Sequence, residues 1–370
     1  MAHAYTPGLR VARSLLVRKE RILPLKGDVL VKQGDRVNAN DVVARTQLPG
    51  DIEIMNMAFE LGCEPKEMPG KMMMGEGDPV SAGDVMAKTS SLFGLIKNDV
   101  RAPCTGTVET VSDVTGKVLL RKPPIPVEVK AYVDGTVVEV RENEGVVVET
   151  PGAFIQGIIG VAGETHGPIH ILAQPDEVLD ADRIDASCAG KVVVGGKLVT
   201  LAALKKAQEL GVSAVVSGGI HDVDLEAFLG YPLGVAITGH EELGLTLVIT
   251  EGFGEIRMAE RTFELLKSHE GRTASVNGAT QIRAGVIRPE VVIPLESAVE
   301  SEHDAEGTMR IGDVVRLIRE PNFGQLVEVT ALPSELVKIE TEAKVRALTV
   351  RLADGTELTL PRANVEVIQA

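Results

Sequence analysis

The strongest constraint on this chain is a pattern written twice, 43 residues apart: Gly34-Asp35-Arg36-Val37-Asn38-Ala39-Asn40-Asp41-Val42-Val43-Ala44-Arg45-Thr46 and Gly77-Asp78-Pro79-Val80-Ser81-Ala82-Gly83-Asp84-Val85-Met86-Ala87-Lys88-Thr89. Each copy reads as a Gly-Asp turn, an apolar residue, a small-residue turn and an alternating strand, so the pattern predicts a duplicated β-unit. A second repeat follows at a spacing of 29: Gly106-Thr107-Val108, Val111, Gly116 and Val118 recur as Gly135-Thr136-Val137, Val140, Gly145 and Val147. Each of these copies reads as a hairpin with a polar turn. Between them Lys122-Pro123-Pro124-Ile125-Pro126 predicts an extended crossover. Residues 22–150 are thus expected to form quasi-symmetric β-halves that clasp each other in an intertwined way, closed by the glycine-rich segment 157–168.

The duplicated pattern resembles the barrel-sandwich hybrid fold found in biotinyl and lipoyl carriers and in one component of the Rnf complex. A carrier of that kind needs a lysine at a hairpin tip. Sixteen residues on from Gly34 and Gly77 stand Gly50 and Phe93, and Lys71-Met72 precedes its Gly-Asp turn instead of following it. No biotinyl or lipoyl lysine is therefore expected. The cysteine clusters and the glycine-rich flavin and nucleotide segment of the Rnf component have no counterpart here, so neither an iron-sulfur cluster nor a redox function carries over.

From about residue 181 the periodicity changes. Lys191–Gly196 and Ser213–Gly219 read as buried strands, separated by an amphipathic helix that Thr200 starts and Gly211 stops. A helix near Leu225–Leu229, strands at Val235–Thr238 and Leu245–Thr250, and a helix over Ile256–His269 complete a predicted, mostly parallel α/β layer. The order of strand, helix and Val-Val-Ser-Gly-Gly is loosely similar to DRTGG-type and phosphohistidine swivelling domains, but His221 and His240 lack the motif around a phosphorylated histidine.

Residues 295–307, with Glu296, Glu300, Glu302, Asp304 and Glu306, read as an acidic linker. Beyond it, the run from Gly312-Asp313-Val314-Val315 through Asn322-Phe323-Gly324 to Val327-Glu328-Val329 looks like a KOW motif of a small SH3-like barrel. The strand Leu348–Leu352, the Asp354-Gly355 turn and the strand Leu358–Pro361 fit the rest of such a barrel. Glu320 and Val327 stand where that family usually has glycine.

A chain of 370 residues should divide into two to four domains. The expected division is a tandem barrel-sandwich β-region over 1–175, a three-layer-type α/β domain over 176–294, the linker over 295–307 and an SH3-like barrel over 308–370. The cores must be aliphatic, because there is no Trp and only three Tyr and seven Phe. A net charge of −15 argues against general nucleic-acid binding, leaving residues 308–370 as the one place where RNA contact is conceivable. No apolar run approaches membrane-spanning length. A soluble, cytoplasmic protein is the expectation.

Candidate chemistry is sparse. Cys63, Cys104 and Cys188 are too few and too scattered for a disulfide or metal framework and are expected to be reduced and buried. The cluster Met55, Met57, Met68, Met72, Met73 and Met74 with Cys63 reads as adaptable core filler rather than a cuprous site. Glu164, His166 and His170 are not expected to hold a metal, because Gly167-Pro168 should break the strand between the histidines. Arg10, Arg13, Arg18, Lys19 and Arg21 read as a solvated basic face.

The better site is at the strand ends of the α/β layer, where free backbone N–H groups of glycine-rich loops bind anions. Gly218, Gly219, Thr238, Thr250, Glu251, Gly252 and Gly254, with Arg257 as counter-charge, are the ligand-binding candidates for a small anionic ligand. Arg283, Arg288, Arg316, Arg319 and Phe323 are the candidates for binding a partner. No catalytic residue or metal ligand stands out. The leading expectation is a non-catalytic adaptor or assembly protein that binds other proteins or itself and whose α/β domain senses or holds a small ligand. The alternatives are an enzyme subunit using the strand-end site and a KOW-type transcription or translation factor.

Overall fold

The computed structural model describes residues 9–91, 96–232, 239, 241, 243–281, 287–297, 311–317, 322, 325–333, 336–338, 344–352 and 355–368. The chain is mostly β, with one large mixed sheet and several small ones. Its first part comprises β1 (Val11–Ile22), β2 (Asp28–Val29), β3 (Arg36–Val37), β4 (Val42–Leu48), β5 (Ile52–Met55), the short helix α1 (Met57–Leu61), β6 (Pro79–Val80) and β7 (Val85–Ser91). Then follow β8 (Ile96–Arg101), β9 (Gly106–Val111), β10 (Val118–Arg121), β11 (Ile125–Lys130), β12 (Gly135–Arg141) and β13 (Gly145–Gln156).

The two copies of the repeated pattern make the same hydrogen bonds. Asp35 accepts from Lys32 N–H and Asp78 from Gly75 N–H, both at 2.8 Å; Asp41 accepts from Asn38 N–H at 2.7 Å and Asp84 from Ser81 N–H at 2.8 Å. These side chains close turns three residues long, so the pattern is a local code. Gly34 and Gly77 both adopt φ 92°, which a side chain would resist, and their N–H groups reach Val137 and Val108 carbonyls.

The copies are nested rather than intertwined. The first pairs outward in sequence, β3 with β12 and β4 with β11. The second pairs within, β6 with β9 and β7 with β8. Residues 50–122 are thus inserted between β4 and β11, and their ends meet: Arg121 donates to Gly50 O at 3.0 Å and Lys122 N–H to Asp51 O at 2.9 Å.

The cores follow the nesting. One, containing Met55, Met57, Met68, Met86, Val108, Val118 and Leu120, draws only on the insertion; the other, containing Val37, Val43, Val133, Val137 and Val146, draws on none of it. Residues 50–122 expressed alone should therefore melt cooperatively, and the remaining chain, joined across the gap by a short glycine link, should keep its own transition. Circular dichroism melts of the two pieces check this, and loss of cooperativity in both would contradict it.

Of the six clustered methionines Met55, Met57 and Met68 fill the core of the insertion as expected, Met72 and Met74 lie partly exposed at its rim with Cys63 and Cys104, and Met73, against the expectation, is exposed. Cys188 is buried, so of the three cysteines only that one matches the expected burial.

The middle of the chain adds β14 (Ile159–Val161), β15 (Glu164–Ile171), β16 (Val178–Leu179), β17 (Val192–Val194), β18 (Leu198–Val199), helix α2 (Leu201–Glu209), β19 (Ala214–Ile220), helix α3 (Asp222–Leu229), β20 (Thr246–Phe253), helix α4 (Glu260–Ser268), β21 (Thr273–Asn277) and β22 (Glu290–Pro294). Thr200 caps α2 by accepting the Ala203 N–H at 3.1 Å, and Gly211 follows at φ 69°. β15, β17, β19 and β20 pair in parallel, and β14 joins β20 antiparallel. Val193, Val215, Leu247 and Ile249 pack toward α2 and α3, while Val192, Val194, Val216 and Val248 pack toward Phe263 and Leu266 of α4. Both faces are covered, which is why these strands read as continuous apolar runs. The expected strand at 235–238 lies outside the described residues.

Two prolines mark where a strand changes neighbour. β15 runs unbroken through Gly167-Pro168, against the expected break, pairing β21 up to Pro168 and β17 from Ile169. Pro151, opposite Leu16 of β1, stands where β13 leaves β12 and takes up β22. A missing N–H is tolerated at such handovers. Through β13 and β15 the large sheet runs across residue 175.

The last sheet comprises β23 (Val314–Leu317), β24 (Leu326–Ala331), β25 (Leu336–Lys338), β26 (Lys344–Arg351), β27 (Glu357–Pro361) and β28 (Val365–Ile368). Val315, Leu317, Val327, Val329, Leu348, Val350 and Leu360 form its separate core. Val327 is a core residue. Of the acidic segment, 298–307 lie outside the described residues. No described helix is long and apolar enough to cross a membrane.

Candidate functional site

The strand ends of β19 and β20 bring together most of the expected ligand-binding residues. Gly219 lies opposite Gly252, across a bulge that follows Ser217, and Thr250 donates to Ser217 O at 3.3 Å. Gly252 and Gly254 adopt φ 139° and 99°. The crevice above them is filled by the chain's own backbone. Gly254 N–H bonds to Ile220 O (2.8 Å), Ile256 N–H to Lys197 O (3.0 Å) and Met258 N–H to Pro175 O (3.3 Å). A Cβ on Gly218 would collide with Ile256 O, and one on Gly219 with Gly254 O. These glycines thus let two loops lie directly on the strand.

The anionic groups at these loops also belong to the chain. Glu251 is buried, its side chain 4% exposed; one oxygen accepts the Ala259 N–H at the start of α4 (3.0 Å) and the other accepts from Arg316 of β23 (2.7 Å). Ala259 has no capping side chain of its own, so Glu251 supplies a carboxylate to the positive end of α4. Arg257 instead points to solvent and pairs with Glu260 at 3.3 Å.

The second loop shows the same substitution. Glu241 accepts from Gly239 N–H (2.7 Å), Ala162 N–H (3.1 Å) and the Tyr231 hydroxyl (3.0 Å). Ala162 sits at φ 64°, a conformation that costs a non-glycine residue about 1 kcal/mol or more. Burial pushes the Glu241 pKa up, but the backbone N–H groups and Tyr231 outweigh it and hold the carboxyl below its ordinary value. Its stabilising contribution is therefore complete above the unfolded-state pKa and is lost as pH falls through the lowered folded one. Glu241→Gln should be less stable than the parent at neutral pH, and the gap should close on acidification. Urea midpoints at two pH values measure it, and a gap independent of pH would refute it.

Of the partner-binding candidates, Arg316 reaches inward to Glu251 and Arg288 is half-buried, while Arg283, Arg319 and Phe323 lie outside the described residues, as does Thr238. Glu164, His166 and His170 take separate partners: Arg21, Asn40 and Glu270. Among the described residues no group of three or more His, Cys, Asp or Glu side chains could hold a metal.

One cluster had no signal in the sequence. Tyr132 is buried at φ 70°, and its hydroxyl makes no hydrogen bond among the described residues, although Glu290 lies near enough to act on it electrostatically. Burial first, then Glu290 and Glu164, push the phenol well above its usual pKa. Lys19 and Arg21 flank the ring at 5.9 and 5.5 Å, Lys19 also pairs with Glu290, and Arg21 grips Glu164 with two bonds of 2.7 and 2.6 Å. The expected solvated basic face is thus partly an internal fastening between β1 and the strands β15 and β22. Tyr132→Phe removes an unpaired buried hydroxyl and should be neutral or stabilise by up to about 1 kcal/mol. A lowered melting temperature would show that the hydroxyl has a partner.

No protein-family model and no curated protein matches the chain.

Proposed function

We propose that this protein is a non-catalytic adaptor or assembly protein. In this reading residues 1–175 hold two barrel-sandwich-type units, one inserted in the other, and residues 308–370 form a KOW-type SH3-like barrel. The observation that carries the reading is that the strand-end loops are filled from within: backbone from residues 196–197 and 254–258 lies on Gly218 and Gly219, and Glu251 and Glu241 accept from the N–H groups of Ala259, Gly239 and Ala162 beside them. The nesting adds support. The hairpin position at which a carrier would display its lysine is, between β4 and β11, taken up by residues 50–122, and the corresponding segment of the insertion reads Leu92-Phe93-Gly94-Leu95. The pairing of Arg316 with Glu251 withdraws one of the cations on which an RNA-binding reading depends.

Native mass spectrometry of the gently purified chain tests the proposal. A discrete oligomer or a complex with another protein, carrying no small molecule, is the expected result. A metabolite retained by each chain would overturn it and favour an enzyme subunit.

A further inference from the structure

The inserted segment has an open sheet edge. Among the described residues β5 pairs only with β10, at the end of the four-stranded order β5-β10-β9-β6. Its outward side chains are Ile52 and Ile54, 44% and 60% exposed. Ala58 N–H bonds to Gly116 O at 2.9 Å, which brings α1 and the β9–β10 turn to the same end of the sheet, and there Phe59 and Val114 are each 82% exposed. Proteins usually blunt such edges with lysine, proline or a bulge. This one presents isoleucines, and it spends one of only seven phenylalanines on open surface.

The surroundings are acidic. From Asp51 to Glu67 there are five carboxylates, Asp51, Glu53, Glu60, Glu64 and Glu67, against Lys66; Lys122 pairs with Glu53 at 3.5 Å and Lys71 with Glu67 at 3.0 Å, so the carboxylates still outnumber these cations by five to three. A second copy on this edge would set those carboxylates against their equivalents, within a chain of net charge −15. A strand that alternates apolar residues with cations meets both the isoleucines and the acidic rim.

We infer that β5 is a docking edge for an extended segment of another protein in which apolar residues alternate with lysine or arginine. The segment adds a strand to the sheet: its backbone pairs with the free edge of β5 and its apolar side chains cover Ile52 and Ile54. This inference rests on the adaptor reading and gives the chemistry of the partner.

The test uses the full chain and a synthetic peptide of alternating lysine and valine, with a block-ordered isomer of the same composition as control. The alternating peptide should slow amide exchange over residues 52–55, and the isomer should not. Ile54→Lys should weaken binding about tenfold, while retained protection of the β9 and β10 amides shows that the variant is folded. Equal binding of both peptides, unchanged binding by I54K, or a concentration-dependent dimer that protects β5 would overturn the inference. If native mass spectra show assemblies while the peptide leaves β5 unprotected, the docking edge fails and the adaptor reading stands. Failure of both removes the adaptor reading as well.

Discussion

Alanine at Gly219 is expected to destabilise the chain by about 3 kcal/mol or more, with no ligand present. The added Cβ would fall on Gly254 O and lie 2.8 Å from Lys197 O. Both obstacles are backbone: one belongs to the loop after β20 and the other to the segment before β18, and neither can swing aside as a side chain would. Gly219 also pairs with Gly252 of β20, so relief would require spreading that parallel pairing. Gly70→Ala is the matched control, because nothing lies within 4 Å of its Cβ position and its φ is not in the left-handed region. Denaturant unfolding of both variants measures the difference. Wild-type stability in Gly219→Ala would mean that the glycine is kept bare for a ligand, and the strand-end site would return to the front.

The second large effect is expected at Glu251. Its side chain is 4% exposed and Arg316 is 20% exposed, so the pair is well shielded from water. Glu251→Ala removes the buried carboxylate that accepts from both Arg316 and the Ala259 N–H, at an expected cost of about 3 kcal/mol. Arg316→Ala should cost a similar amount, since it leaves a buried carboxylate without its cation and held by the Ala259 N–H. The double replacement Glu251→Leu with Arg316→Met should recover much of the loss, because removing both charges removes the desolvation penalty as well. Glu251 also joins three elements, β20, α4 and β23. Loosening it should therefore speed amide exchange in β23 as well as at the start of α4. Additive costs in the double variant, or exchange unchanged in β23, would mean that the pair does not couple the last sheet to the large one.

What the sequence carried on its own was the local structure. The duplicated β-pattern, the cap at Thr200 and the turn at Gly211 are legible because each depends on hydrogen bonds spanning a few residues, as Asp35 and Asp78 close their turns at the same spacing. The buried parallel strands are legible because covering both faces leaves a continuous apolar run. The choice of partner among near-identical repeats was not legible, since either copy of the Gly-Asp unit could pair with either hairpin by pattern alone. Only the closed cores of the folded chain select β3 with β12 and β6 with β9. The role of Gly218 and Gly219 was equally hidden: a glycine bare for a ligand and a glycine bare for a passing backbone have the same sequence, and the backbone that fills the space arrives from residues 196–197 and 254–258. Glu251 and Arg316 are 65 residues apart. Sequence identified both as charged groups seeking partners, and tertiary structure made them partners of each other, because burial makes an unpaired charge too costly to keep.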